Sequence, residues 1–167
     1  DAAASDELAV HARVAGATPS TLIKTLAIVR KPPAVVMERL TKNARDLARP
    51  PTISEVTRDR YEDGERYAPA FAVTLVKGLA EALRYLHSKR VAHGDVYGHN
   101  TLVLDSTGAA KLGDFGASFY YGELAPSAQR LIERVEVRAF GVLCAEVATR
   151  VVGAAAIQQR LLAVADD

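Results

Sequence analysis

At 167 residues, with 49% apolar and 25% charged side chains, the chain has the make-up of one ordinary globular domain, or two small lobes at most. Its net charge is +1 with no long run of either sign, so nothing in the composition points to nucleic acid or a membrane surface. One cysteine excludes an internal disulfide framework, and no apolar stretch approaches the roughly 18 residues of a membrane span.

No signal peptide opens the chain, so a cytoplasmic setting without membrane insertion is the expectation. The first residue is Asp1, and DAAASDELAV reads as the middle of a longer protein. Helix signals cover residues 5–15, with Ser5 and Asp6 as caps, until Gly16 and Pro19 break the pattern. Residues 21–30 and 34–40 are rich in β-branched and other apolar side chains, and the RKPP between them predicts two strands joined by a tight connection. From Thr41 to Tyr67 the chain is polar, which predicts a connector with one short helix at most. Its charged run from Arg58 to Arg66 reads as a solvated surface.

Residues 69–88 form the strongest helical pattern. Ala72, Leu75, Leu79, Ala82, Leu83 and Leu86 recur at spacings of three and four, Pro69 suits a first turn, and the helix should be largely buried. TLVL (101–104) and AAKL (109–112) are bridged by DSTG and predict a hairpin with Lys111 facing solvent. A second apolar helix is expected over 135–149, holding Cys144 as a buried structural thiol, and a third over 155–165. Tyr120 and Tyr121 read as exposed, and His11, His87, His93 and His99 have no metal-ligand spacing.

Chemistry concentrates between these elements. His93-Gly94-Asp95 follows the long helix, Asn100 comes five residues after Asp95, and the hairpin then delivers Asp114-Phe115-Gly116. None of these is specific alone, but a buried helix, an acid-bearing loop, an amide and a second acid after a hairpin form a specific order. That order resembles the catalytic core of the protein kinase superfamily. The resemblance implies a kinase-like α+β fold: a reduced, strand-containing N-terminal lobe with its hinge over 1–40 and a mainly helical C-terminal lobe over 41–167. It implies an ATP- and Mg²⁺-dependent phosphotransferase acting on Ser, Thr or Tyr hydroxyls of a protein substrate. Asp95 would take or orient the hydroxyl proton, and Asn100 and Asp114 would hold Mg²⁺ through hard oxygen ligands. His93 would brace Phe115, with Gly116 completing the turn.

The resemblance extends outward. EVRAFGVLCAEV (136–147) looks like the family's central helix, with Glu136 where aspartate is more usual. AVVMERL looks like the strand entering the hinge. Met37 would be the gatekeeper, the backbones of Glu38 and Leu40 would face the adenine edge, and Leu102 would pack beneath it. Glu7 would be the helix glutamate that pairs with the nucleotide-binding lysine. That lysine and the glycine-rich loop do not occur in these residues, and neither Lys24 nor Lys31 is suitably placed. Gly94 replaces the usual arginine, Tyr97 replaces a lysine, His99 stands four after Asp95, and Ala125-Pro126-Ser127 is a degraded Ala-Pro-Glu. These mixed features are similar to bacterial eukaryotic-like kinases. A pseudokinase-like binding module and a small-molecule kinase of the aminoglycoside or choline type remain as alternatives.

Overall fold

The computed structural model describes residues 2–40, 42–54 and 58–166, which form an α+β fold. Helix α1 spans Ala2–Val14, and strands β1 (Thr25–Arg30) and β2 (Pro33–Met37) pair antiparallel with Ile28 opposite Val35. Because α1 begins at Ala2, Ser5 and Asp6 lie inside the helix and do not cap it. Strand β1 begins only at Thr25. Residues 21–23 are drawn instead to the hairpin ahead, where Leu112 N–H donates to Thr21 O and Ile23 N–H donates to Leu112 O.

Among the described residues of the connector there is no helix. Pro50 and Pro51 have no N–H to donate, and the chain instead doubles back so that Arg49 and Arg60 exchange both backbone hydrogen bonds, at 2.7 and 2.9 Å. The short strand β3 (Arg45–Asp46) adds to the hairpin strand β5 (Thr101–Val103), which pairs in turn with β6 (Ala110–Leu112). Ion pairs Arg45–Glu65 and Arg49–Glu62 lie outside this layer, as a solvated surface should.

Helix α2 occupies Pro69–Ser88, the span its apolar spacing predicts. It buries Phe71, Ala72, Leu75, Leu79, Ala82, Leu83 and Leu86, each large side chain contributing about 1.5–3 kcal/mol by leaving water. Its C-terminal turn ends at Arg90, whose φ of 56° is left-handed and stops the helix. Strand β4 (Val91–Ala92) follows and pairs with β7 (Phe119–Tyr120).

Helix α3 runs from Pro126 to Ala148, starting well before the expected residue 135. Pro126 sits in the first turn, where its missing N–H costs nothing, so Ala125-Pro126-Ser127 begins a helix here. Phe140, Leu143, Cys144 and Val147 of α3 close the core, and burial pushes the Cys144 thiol up to about 12. Helix α4 (Ala155–Asp166) packs along α3.

Two surface expectations are overturned. Tyr121 is fully buried, because the β4–β7 pairing turns it inward to donate a 2.7 Å hydrogen bond to Glu133; Tyr120 is half-buried under Arg13. Lys111 is buried as well. The segment 21–23 covers its edge of the hairpin, and its Nζ donates to Leu22 O at 3.2 Å and pairs with Glu38 at 2.8 Å. Burial would raise the Glu38 carboxyl, but the hydrogen bonds and charge of Lys111 and the Lys24 N–H outweigh it and hold the group below its ordinary value. Such a group stabilises the fold above its unfolded pKa and loses that contribution as pH falls through the folded one. Lys111→Met should therefore lower stability by about 2 kcal/mol at neutral pH and flatten the acid limb of stability against pH, as followed by denaturant unfolding.

Candidate active site

The site is built where the backbone has few choices. Helix α2 ends at a left-handed residue, β4 is pinned by β7, and the chain then makes the loop 93–97 before the 3₁₀ turn Gly98–Asn100 feeds β5. Gly113 N–H donates to Asn100 O at 3.0 Å, just beyond the Thr101–Leu112 pair. The hairpin therefore brings Asn100 and Asp114 to the same end of the β5–β6 ladder.

Asn100 clamps Asp95. Its Nδ2 donates both to the Asp95 carbonyl, at 3.0 Å, and to Asp95 Oδ2, at 2.8 Å. The Asp95 carboxylate is 38% exposed, and its Oδ1 has no hydrogen-bond partner among the described residues. One oxygen is thus fixed while the other faces outward.

Asp114 has φ of 58°, a left-handed conformation that costs a non-glycine residue about 1–2 kcal/mol. The Gly116 N–H donates to Asp114 Oδ1 at 3.1 Å and offsets part of that cost. Asn100 Oδ1 and Asp114 Oδ2 remain without protein partners among the described residues. They are hard oxygens, one from a carboxylate, and Mg²⁺ suits such a pair because it keeps most of its shell as water and phosphate.

Phe115 packs against two imidazoles, His93 at 5.4 Å and His11 of α1 at 5.0 Å. His93 is fully buried. Its Nε2 donates to Gly113 O at 2.8 Å while its Nδ1 accepts the Asp95 N–H at 3.3 Å. Burial lowers the His93 pKa, in keeping with a neutral ring that both donates and accepts. His11 is also held below its ordinary value by burial, against the pull of Glu7, and its Nδ1 bonds Thr25 Oγ1 at 2.7 Å.

The residues expected at a hinge lie at and just after the end of β2. Met37 closes β2 opposite Thr25 and is 47% exposed. The Glu38 N–H is spent on Lys24 O at 2.9 Å, whereas Glu38 O and Leu40 N–H have no partner among the described residues. Leu102 is half-buried on β5 beside Gly113. Glu7 is 43% exposed and faces His11 Nε2 at 3.8 Å. On the other side of Asp95, a cleft of about 430 Å³ opens towards α3, lined by Gly94, Val96, Tyr97, Phe119, Leu131 and Val135.

Sequence reasoning placed Glu136 on the central helix without its contacts, and missed Ser118 and Asp59 as supports of this arrangement. Glu136 of α3 is buried and its carboxylate accepts the Gly94 N–H at 2.8 Å and bonds His87 Nε2 at 2.7 Å. Ser118 Oγ donates to His93 O at 2.8 Å. Asp59, read as part of a solvated run, has a fully buried carboxylate on His99. Only Glu136 carried a signal, as the residue that opens EVRAFGVLCAEV.

A family model described as the protein kinase domain matches residues 3–150. A probable myosin light chain kinase of Dictyostelium discoideum is 48% identical over 48 residues, covering 29% of this chain and 10% of the relative. Aurora kinase A-B of Xenopus laevis is 38% identical, covering 42% of this chain and 21% of its own. A glycogen synthase kinase-3 homolog of Saccharomyces cerevisiae is 30% identical, with 54% of this chain and 22% of its own covered. The alignments thus span about a tenth to a fifth of the length of these relatives.

Gly94 explains itself by geometry. Its φ is 80°, and a Cβ would fall 2.3 Å from Ala117 O, so the arginine found elsewhere has no room here. Gly94→Ala should cost at least about 2 kcal/mol in thermal or denaturant unfolding. Glu136→Ala should cost about 3 kcal/mol, because it strands the Gly94 N–H and the half-buried His87 ring together.

Proposed function

Because the chain belongs to the protein kinase domain family, we propose that it carries the catalytic centre of an ATP- and Mg²⁺-dependent phosphotransferase acting on protein hydroxyls. The observation that supports this most is the clamp of Asn100 on Asp95, which orients one carboxylate oxygen and frees the other. Residues 1–40 would act as part of the N-terminal lobe with its hinge, and 41–167 as the C-terminal lobe. Adenine would lie between the hinge and Leu102, accepting a hydrogen bond from Leu40 N–H and donating one to Glu38 O, with Met37 limiting the depth of its pocket.

Asp95 Oδ1 would accept the proton of the acceptor hydroxyl as that oxygen bonds the γ-phosphorus. The bond from that phosphorus to the β,γ-bridging oxygen breaks, and ADP leaves. Asn100 Oδ1 and Asp114 would hold Mg²⁺, which when bound neutralises charge on the phosphate oxygens. His93, Phe115 and Gly116 would support the Asp114 turn. The apolar cleft beside Asp95 suits an extended polypeptide, whose flanking side chain would enter between Tyr97 and Val135. Gly94, where any Cβ would meet Ala117 O, supplies no cation to read a phosphorylated segment, so the centre would work without that switch.

One observation favours a second reading, a binding module that keeps the shape without turnover. The carboxylate of Glu7 faces His11, and among the described residues no lysine pairs with it.

The two readings separate in one set of assays on the longest natural form of the protein. With ATP and Mg²⁺ at about 100-fold over Kd, thermal unfolding should reveal about 2.7 kcal/mol of added stability. Asp114→Asn should lose the Mg²⁺-dependent part. Transfer of labelled γ-phosphate to a generic protein substrate should fall about 10²–10⁴-fold in Asp95→Asn with the nucleotide shift retained. A shift without transfer in the wild type would establish the binding module. Undiminished transfer in Asp95→Asn would remove Asp95 from the chemistry.

A further inference from the structure

The charged run 58–66 reads as surface, yet its Asp59 is withdrawn from solvent altogether. Its side chain has 0% exposure, and both oxygens are spent on one residue. Oδ1 accepts from His99 Nδ1 at 2.7 Å, and Oδ2 accepts the His99 backbone N–H at 2.9 Å. A buried carboxylate is retained only where its acceptors are satisfied, and this one is satisfied by His99 alone among the described residues.

The chain is shaped to let this happen. A Cβ on Gly98 would lie 3.1 Å from Asp59 Oδ2, 3.0 Å from Tyr61 Oη and 2.9 Å from Ala48 Cβ. No larger residue would let the connector approach so closely. Tyr97 stacks on the His99 ring, with centroids 5.5 Å apart and planes 22° from parallel, which restricts the ring further.

With Nδ1–H donating to Asp59, the ring can donate from Nε2 as well only as the imidazolium, which carries a proton on both nitrogens, and that second N–H has a fixed direction. His99 Nε2 points at Asp95 Oδ2, 3.8 Å away. That is the oxygen already held by Asn100, and the opposite oxygen is the one left open. The separation is longer than a hydrogen bond, as catalytic contacts often are before substrate is bound, and a closure of about 1 Å would complete it.

We propose that His99, as an imidazolium set between the carboxylates of the buried Asp59 and of Asp95, is a positioning residue for Asp95: its Nε2–H, together with Asn100, fixes Asp95 Oδ2 so that Oδ1 meets the acceptor hydroxyl. This role rests on the phosphotransferase reading above. It makes the connector between hinge and long helix a working part of the centre. It also gives the residue four after Asp95 a task in a loop whose residue two after Asp95 is the uncharged Tyr97.

The test uses His99→Asn, His99→Gln and Asp59→Asn in the longest natural form of the protein. Asparagine places its amide near Nδ1 and keeps the bond to Asp59 but removes the group that faces Asp95. Glutamine extends its amide towards the Nε2 position. His99→Asn should keep its melting temperature and the KM for ATP while kcat falls about 10- to 100-fold, and His99→Gln should recover part of that loss. Nitrogen-detected NMR of the histidine ring at one fixed pH supplies a readout independent of turnover. The Nδ1 proton of His99 should be protected in the wild type and exposed in Asp59→Asn, and the Nε2 resonance should move in Asp95→Asn. An unmoved Nε2 resonance, or a kcat loss that only tracks a lower melting temperature, would overturn the proposal. If the wild type transfers no phosphate while the Nε2 resonance still responds to Asp95, the phosphotransferase reading fails and the Asp59–His99–Asp95 arrangement stands.

Discussion

The centre hangs on one buried carboxylate. Glu136 rises from the middle of α3 and meets the Gly94 N–H at the start of the loop 93–97 and His87 at the end of α2. Helix, loop and helix are thereby tied at one buried carboxylate, where a hydrogen bond to a charged acceptor is strong and its loss costly. Everything downstream inherits that position. Asp95 follows Gly94 directly, and the turn to Asn100 is then closed by Asn100's own bonds back to Asp95.

A second set of contacts carries position from this loop to α1. His93, next to Gly94, holds Gly113 O and packs on Phe115, which packs on His11, which bonds Thr25 of β1. The left-handed Asp114 would be unstable in isolation, and it persists because the residues on both sides of it are held. Two aromatic contacts and two buried hydrogen bonds thus link strand β1 to the acid-bearing loop. Sliding any one member would leave a buried polar group without a partner.

Charge is used economically on the remaining face. Lys111 and Glu38 join the hairpin to the segment after β2, and Asp59 joins the connector to His99. Each pair sits where its partners are within 2.8 Å, so burial, normally unfavourable for an ion, is compensated by a short charge-assisted bond. The residues that join separate segments are therefore polar, while the helices that carry them are held by apolar packing.

The sequence by itself determined the elements whose physics is local. Helix α2 follows from apolar residues at spacings of three and four, and the β5–β6 hairpin from DSTG between two apolar runs. The order of Asp95, Asn100 and Asp114 was also legible, because the hairpin between them sets their spacing along the chain. The tertiary structure alone decided which charged and aromatic residues are inside. Lys111 meets a carbonyl 89 residues away, His99 meets a carboxylate 40 residues away, and Tyr121 turns inward only because β7 pairs with β4. A side chain's burial depends on what closes over it, and when the covering segment is distant in sequence no local pattern records it. The same reason hid the early start of α3: its first turns present apolar side chains to the cleft beside Asp95, so periodicity gave no sign of a buried face there.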